Sequence, residues 1–488
     1  MQKSKEKIFT SLTEALENPL NVTKLSLIGN ELAEFPIEIT ELKNLRRLYL
    51  TGNRITSLPA QITNLKKLEL LDLIGNQLTE LPQEITELNN LLYLYLVGNQ
   101  LIELPKEIAK LNSLQGLWLE GNQLKSLPSE IGKLRNLQLL DLKNNELPSL
   151  VKEIGNLTKL KVINLCQNQL CELPKEIGNL TQLETLNASD NQLNDLPNEI
   201  GRLSNIHTLL LGGNCITHLP QDIGKLTKLK LLILNKNGLT ELPNEFNRLH
   251  NLVELHLANN IFANFPFKTD NFTNLITLDL SRNKIPNISN DITRLQSLKT
   301  LWLNENHLRE IIPEIGQLPN LEGIRLDNNH LTNIPSEIGN LGLLHELYIG
   351  NNKLSSIPTN IKKLKNLKLL DLSNNILSSI PTEIGDLSNL QGLWVESNCL
   401  KDLPVEIGKL NKLQGIGLSN NKIIRLPQEI ANLYNLQELY LGNNQITELP
   451  IEMKKLNTLK WINLENNLLS KEEKDKIRTY FSDCQIKF

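Results

Sequence analysis

Aromatic residues make up only 4% of the 488-residue chain, while Leu and Asn abound. A length of this order would otherwise suggest roughly three ordinary domains, but the composition is that of a chain that repeats itself. Neither sign of charge dominates: 51 basic residues face 54 acidic ones. That balance excludes an electrostatic nucleic-acid binder in which basic charge prevails. The sequence has no apolar run long enough to span a bilayer. The charged start, Met1 to Phe9, leads into no apolar stretch, so no secretory signal and a cytoplasmic location are expected. Five cysteines, an odd number without metal-ligand spacing, read as free thiols in a reducing compartment.

What the chain does have is one unit used twenty times. The pattern L-x-x-L-x-L-x-x-N first appears from Val22 to Asn30, recurs from Leu45 to Asn53, and ends at Asn467. Its closing asparagine returns every 23 residues without insertion or deletion. The alternation in Arg47-Leu48-Tyr49-Leu50-Thr51 predicts a short strand with one buried face. Placing the next strand alongside within one repeat requires parallel strands joined by right-handed crossovers. The return arm, with Ile55, Leu58, Pro59, Ile62 and Leu65 in the second unit, has helical spacing. Pro suits the first position of a short helical turn, where its missing N–H has no bond to lose; sixteen of the 21 prolines hold this column. The Asn amide, donor and acceptor at once, is expected to bond backbone groups of neighbouring turns.

These columns resemble the leucine-rich repeat family over nearly the whole chain. The run from Leu127 to Leu137, LPSEIGKLRNL, is similar to the Ras-pathway scaffold class, to plant intracellular Ras-group repeats and to spirochaete repeat proteins. The resemblance implies an α/β fold: a right-handed leucine-rich-repeat solenoid with a parallel sheet on its concave face and short helical or 3-10 turns on its convex face. Residues 1–21 are read as an N-terminal cap, 22–469 as the solenoid, and 470–488 as a capping helix and tail. Ser470 with Glu473 forms a capping box, and Ile477, Tyr480 and Phe481 are placed to cover the last turn. Leu12, Ala15 and Leu16 are expected to do the same at the other end.

Function must lie in columns that the fold leaves free. Residues six, four and two before each Asn point onto the concave face. All four tryptophans (Trp118, Trp302, Trp394, Trp461) and five of seven tyrosines (Tyr49, Tyr93, Tyr95, Tyr348, Tyr440) fall there, and no phenylalanine does. Core filling predicts the reverse, whereas ring systems with a polar handle are what protein-binding hot spots use. Gly116 and Gly392 precede Trp118 and Trp394 by two residues and clear space beside each indole. Tyr95 and Trp118, on adjacent strands, should form a joint platform. The rings fall into two groups, repeats two to five and fifteen to twenty, with Trp302 apart. Two binding patches follow.

The same columns hold eleven acids, among them Glu120, Asp327, Asp371 and Glu396, against four bases, Lys24, Arg47, Lys143 and Arg325. Such a face attracts a partner with a basic surface and repels phosphate backbones. The convex side is irregular at Val151 and across repeats eleven to thirteen. There Thr269 and Ser289 replace the column residues, Pro313 is shifted, and Phe262, Phe265, Phe267 and Phe272 gather. No nucleophile elbow, phosphate loop, dinucleotide fingerprint or zinc-protease motif occurs, and His256 beside Glu254 reads as a strand neighbour rather than a dyad. The expectation is a non-enzymatic scaffold or adaptor in intracellular signalling, without metal or cofactor. The alternative is an exported or surface-displayed bacterial repeat protein that contacts host molecules.

Overall fold

The computed structural model describes residues 7–268 and 271–488, so the reading of Thr269 lies outside the described residues. The chain divides into two compact units, one up to Leu252 and one from Val253 onward. Among the described residues the first holds ten three-residue strands, from Lys24–Ser26 to Leu231–Ile233. Successive strands pair in parallel, each residue opposite the one 23 positions on, as in Tyr95 with Trp118. The second unit repeats the arrangement from Glu254–His256 to Trp461–Asn463. Each unit is thus a leucine-rich-repeat stack with a sheet on one side and short turns on the other. Within each strand the middle residue is buried, as the alternation requires.

The asparagines behave as their chemistry suggests. Asn122 is 7% exposed; its Nδ2 donates to the carbonyls of Leu96 (2.9 Å) and Leu119 (3.0 Å), and its Oδ1 accepts from Leu101 N–H. One side chain thereby satisfies backbone groups in two successive repeats, in a bend with no ladder to do it. The residue before each Asn adopts positive φ, whether Gly, as at Gly121 (67°), or a side-chain residue, as at Lys236 (55°) and Arg282 (55°). That column was not foreseen. It turns the chain out of the strand.

Most return arms are five-residue 3-10 turns, such as Ser129–Lys133. The column proline is not their first residue, as the sequence reading had it, but the residue before. Pro128 is extended (φ −67°, ψ 143°) and its carbonyl accepts the turn's first bond from Ile131 N–H. Extended backbone at that position does not require proline, and Val151 and Ile312 take it equally well. Ser289 does so too and adds a side-chain cap to Asp291 N–H. Pro313, one residue past the column, does start its turn.

The glycine of the E-I-G motif has a steric reason. A Cβ at Gly178 would collide with the backbone carbonyl of Glu199 in the next turn, and Gly132, Gly155 and Gly201 stand likewise. Between Glu254–His256 and Thr277–Asp279 no 3-10 turn occurs among the described residues. Phe262 and Phe272 are fully buried there, and Phe267 packs 5.5 Å from Phe265 and 5.0 Å from Phe272.

Both ends are covered. The helix Leu12–Glu17 is capped by Ser11 and buries Ala15. The helix Lys471–Tyr480 is capped by Ser470 and buries Ile477, with Phe481 beyond it. Glu473 does not close the capping box; it accepts from Leu449 N–H (3.2 Å) in the last return arm. Beyond the helices, each end adds a backbone pairing that the repeat pattern did not announce. Phe9 bridges to Leu25, and Gln485–Lys487 pairs in parallel with Trp461–Asn463.

Candidate functional site

The predicted aromatic columns lie on the sheet face, but the rings do not stand out into solvent. Each is half-buried, laid against its neighbours by the parallel register. In the first unit Tyr95 and Trp118 stack with centroids 4.1 Å apart and planes 13° from parallel. Tyr93 tilts against the same indole at 6.3 Å, its hydroxyl toward Gln115 Oε1 (3.3 Å). A Cβ at Gly116 would clash with the indole, so this glycine is what lets Trp118 fold back over its own strand. Tyr49 lies two strands from Tyr95, across Asp72. Glu120 is ion-paired with Lys143 at 2.7 Å. Burial and the nearby Asp72 raise the Tyr95 phenol above its ordinary range.

In the second unit Trp302 is not isolated. The Arg325 guanidinium sits between two rings, 5.6 Å from the centroid of Trp302 and 4.9 Å from that of Tyr348. These three residues occupy consecutive strands and join Trp302 to the C-terminal group. Asp327 lies two residues beyond Arg325, and burial raises its carboxyl. A hollow of about 280 Å³ opens at Gly323, lined by Thr300, Trp302, Glu346 and His345 among others. Further on, Trp394 tilts toward Tyr440 at 6.0 Å, and Tyr440 Oη donates to Glu438 (3.1 Å). Trp461 begins the last repeat strand. Gly415 and Gly417, which the sequence reading passed over, lie beneath Trp394 together with Gly392. A G-x-G strand beside a Trp was the available signal.

The acidic column has a second purpose. Asp72, Asp141, Asp279 and Asp371 each accept the N–H two residues on, at Ile74, Lys143, Ser281 and Ser373. Asn164, Asn187 and Asn463 do the same with a neutral amide. Four of the eleven acids therefore brace the strand end as well as charge the face. His256 lies 3.6 Å from Glu254 and 3.8 Å from Asp279, which raise its imidazole above the ordinary range, chiefly through Asp279. A convex hollow of about 590 Å³ at Pro82, Pro105 and Pro128 lies on the turn side, away from the aromatic columns. Among the described residues no group of three His, Cys, Asp or Glu is arranged to hold a metal, and no helix is long and apolar enough to cross a membrane.

A family model described as leucine-rich repeat region matches residues 33–119, 148–217, 208–310 and 305–403, and one described as leucine rich repeat matches 411–469. Among solved structures, a leucine-rich repeat protein of Leptospira interrogans is 34% identical, with 99% of this chain and 100% of that one covered and a TM-score of 0.52. The plant peptide hormone receptor RGFR1, solved in complex with RGF2, is 29% identical over 96% of this chain and 89% of that one, at a TM-score of 0.69. An internalin, inlF, of Listeria monocytogenes is 28% identical over 68% and 87%, at 0.54. No curated protein matches the chain.

Proposed function

The chain belongs to the leucine-rich repeat family, and from that premise we propose that it is a non-enzymatic scaffold whose sheet face holds partner proteins at two aromatic patches, one in each unit. The observation that carries the reading is the placement of the rings. Tyr95 and Trp118 form a stacked ledge, and Trp302, Arg325 and Tyr348 form a cation–π stack. Both are fixed by strand register, so little side-chain entropy remains to be lost on binding. The similar plant receptor is known bound to RGF2, which supports a binding role for this architecture. A standard footprint of roughly 800 Å² per partner fits within one unit's face.

Capture of partners from native lysate, followed by affinity measurement for each, tests this. Trp118→Ala and Trp394→Ala should each weaken a different partner about tenfold or more, as loss of a hot-spot ring does. Equal binding by wild type and both variants would sink the reading. The cellular role proposed is that of an adaptor in intracellular signalling. The similarity to an internalin and to a Leptospira protein favours a second reading, display at the cell surface. Protease shaving of intact cells separates them: a shielded chain supports the adaptor, a cleaved one the surface protein.

A further inference from the structure

We propose that the second unit holds a receptor for a basic side chain, arginine by preference, at Trp394. The proposal deepens the sheet-face reading and rests on it. Three features meet at this point. The indole lies across three glycines on two adjacent strands. A Cβ at Gly392 would stand 3.3 Å from Nε1, one at Gly415 3.2 Å from Cη2, and one at Gly417 2.6 Å from Cε3. No side chain lifts the ring, so it lies along the sheet with a π face turned outward. Tyr440 stands at its far side, 6.0 Å away and tilted by 52°.

Carboxylates surround this face. Asp371 is directly opposite Trp394 on the preceding strand. Glu396, two residues on, leans over Gly417. Glu438 is held by the Tyr440 hydroxyl. In the three sheet-face columns from Leu369 to Gly442 there is no lysine or arginine. Glu396 is half-buried and its carboxylate makes no hydrogen bond or ion pair among the described residues. A negative group desolvated without a counter-charge is unfavourable, and burial together with Asp371 raises its carboxyl accordingly.

The chemistry selects the occupant. An acidic group would meet three carboxylates, and an aliphatic one would seal Glu396 away unpaired. A cation satisfies both the ring face and the acids. Guanidinium is preferred over ammonium because its plane stacks on indole while its N–H fork reaches a carboxylate. The site is therefore complementary in charge and shape to an arginine side chain presented by a partner protein.

The four indole N–H signals of the ¹⁵N-tryptophan-labelled full chain provide the readout. The probe is the capped peptide acetyl-Gly-Arg-Gly-amide, with citrulline in place of arginine as its neutral isostere. The Trp394 signal should shift saturably with the arginine peptide and not with the citrulline peptide. Glu396→Gln, which keeps the shape, should weaken the arginine response about fivefold or more. Equal shifts with both peptides, no shift with either, or an unchanged response in Glu396→Gln would overturn the proposal. If partners bound at the sheet face lose affinity in Trp394→Ala but not in Glu396→Gln, the scaffold reading stands and the arginine receptor falls.

Discussion

At the residue scale the column asparagines hold the bend at the end of each strand through hydrogen bonds rather than apolar contact. Asn122 answers two carbonyls and one N–H that a buried bend would otherwise leave unpaired. Asn122→Ala should therefore lower stability by on the order of 3 kcal/mol. Urea unfolding checks the magnitude. Hydrogen exchange checks the location, since loss of protection should centre on Leu101, whose N–H donates to Asn122 Oδ1, in a stack that couples mainly to nearest neighbours. His256 gives a pH dependence. Its imidazole pKa is raised, first by the Asp279 carboxylate and then by Glu254, against the opposing effect of burial. The contribution is full below the unfolded value of about 6.5 and is lost as pH rises through the higher folded value. The difference in thermal midpoint between wild type and His256→Asn should shrink across that window. A difference that stays constant from pH 5 to 9 would exclude the pairing.

At the element scale the turns are set by what they exclude. Gly178 faces the carbonyl of Glu199 at a distance that no Cβ fits. Gly178→Ala should destabilise the first unit by about 1–3 kcal/mol, the range for overpacking a close-packed contact, as read by chemical denaturation. The same substitution at Gly323, where a Cβ would meet nothing, should change little and serves as the control. The steric role of Gly178 was not derivable from its column, because the clash is with a residue 21 positions later. The strands, by contrast, were legible, because period-two alternation is local. Proline was legible as a turn signal but misplaced by one residue: its fixed φ fits both the extended cap and the first helical position.

At the scale of the molecule, each unit presents its own aromatic patch, and the sheet-face columns carry eleven acids against four bases. Association with basic partners should slow as sodium chloride rises from about 0.1 to 0.5 M, because the Debye length shortens below the size of a patch. Stopped-flow association rates check this; a salt-independent rate would show that charge on this face does not steer. The decrease should be smaller in Glu396→Gln than in wild type for a partner bound in the second unit.

The sequence by itself determined the period, the strand positions, the residues on the sheet face and the asparagine ladder. Each of these is a pattern of neighbours along the chain repeated at fixed spacing. The two end helices were readable as well, the second from Ser470 before it and the first from the spacing of Leu12, Ala15 and Leu16; the Ser11 cap came from the structure. Only the tertiary structure decided how the columns interact across strands. It set the face-to-face geometry of Tyr95 on Trp118, whose pairing the sequence already implied, placed Arg325 between Trp302 and Tyr348, and laid Trp394 over Gly415 and Gly417. It also assigned four aspartates to backbone N–H groups, and added the pairings at Phe9 and Gln485–Lys487. The physical reason is common to all of them. A side chain's rotamer depends on residues 23 positions away, and a one-dimensional pattern gives the address of those residues but not the direction in which they lean.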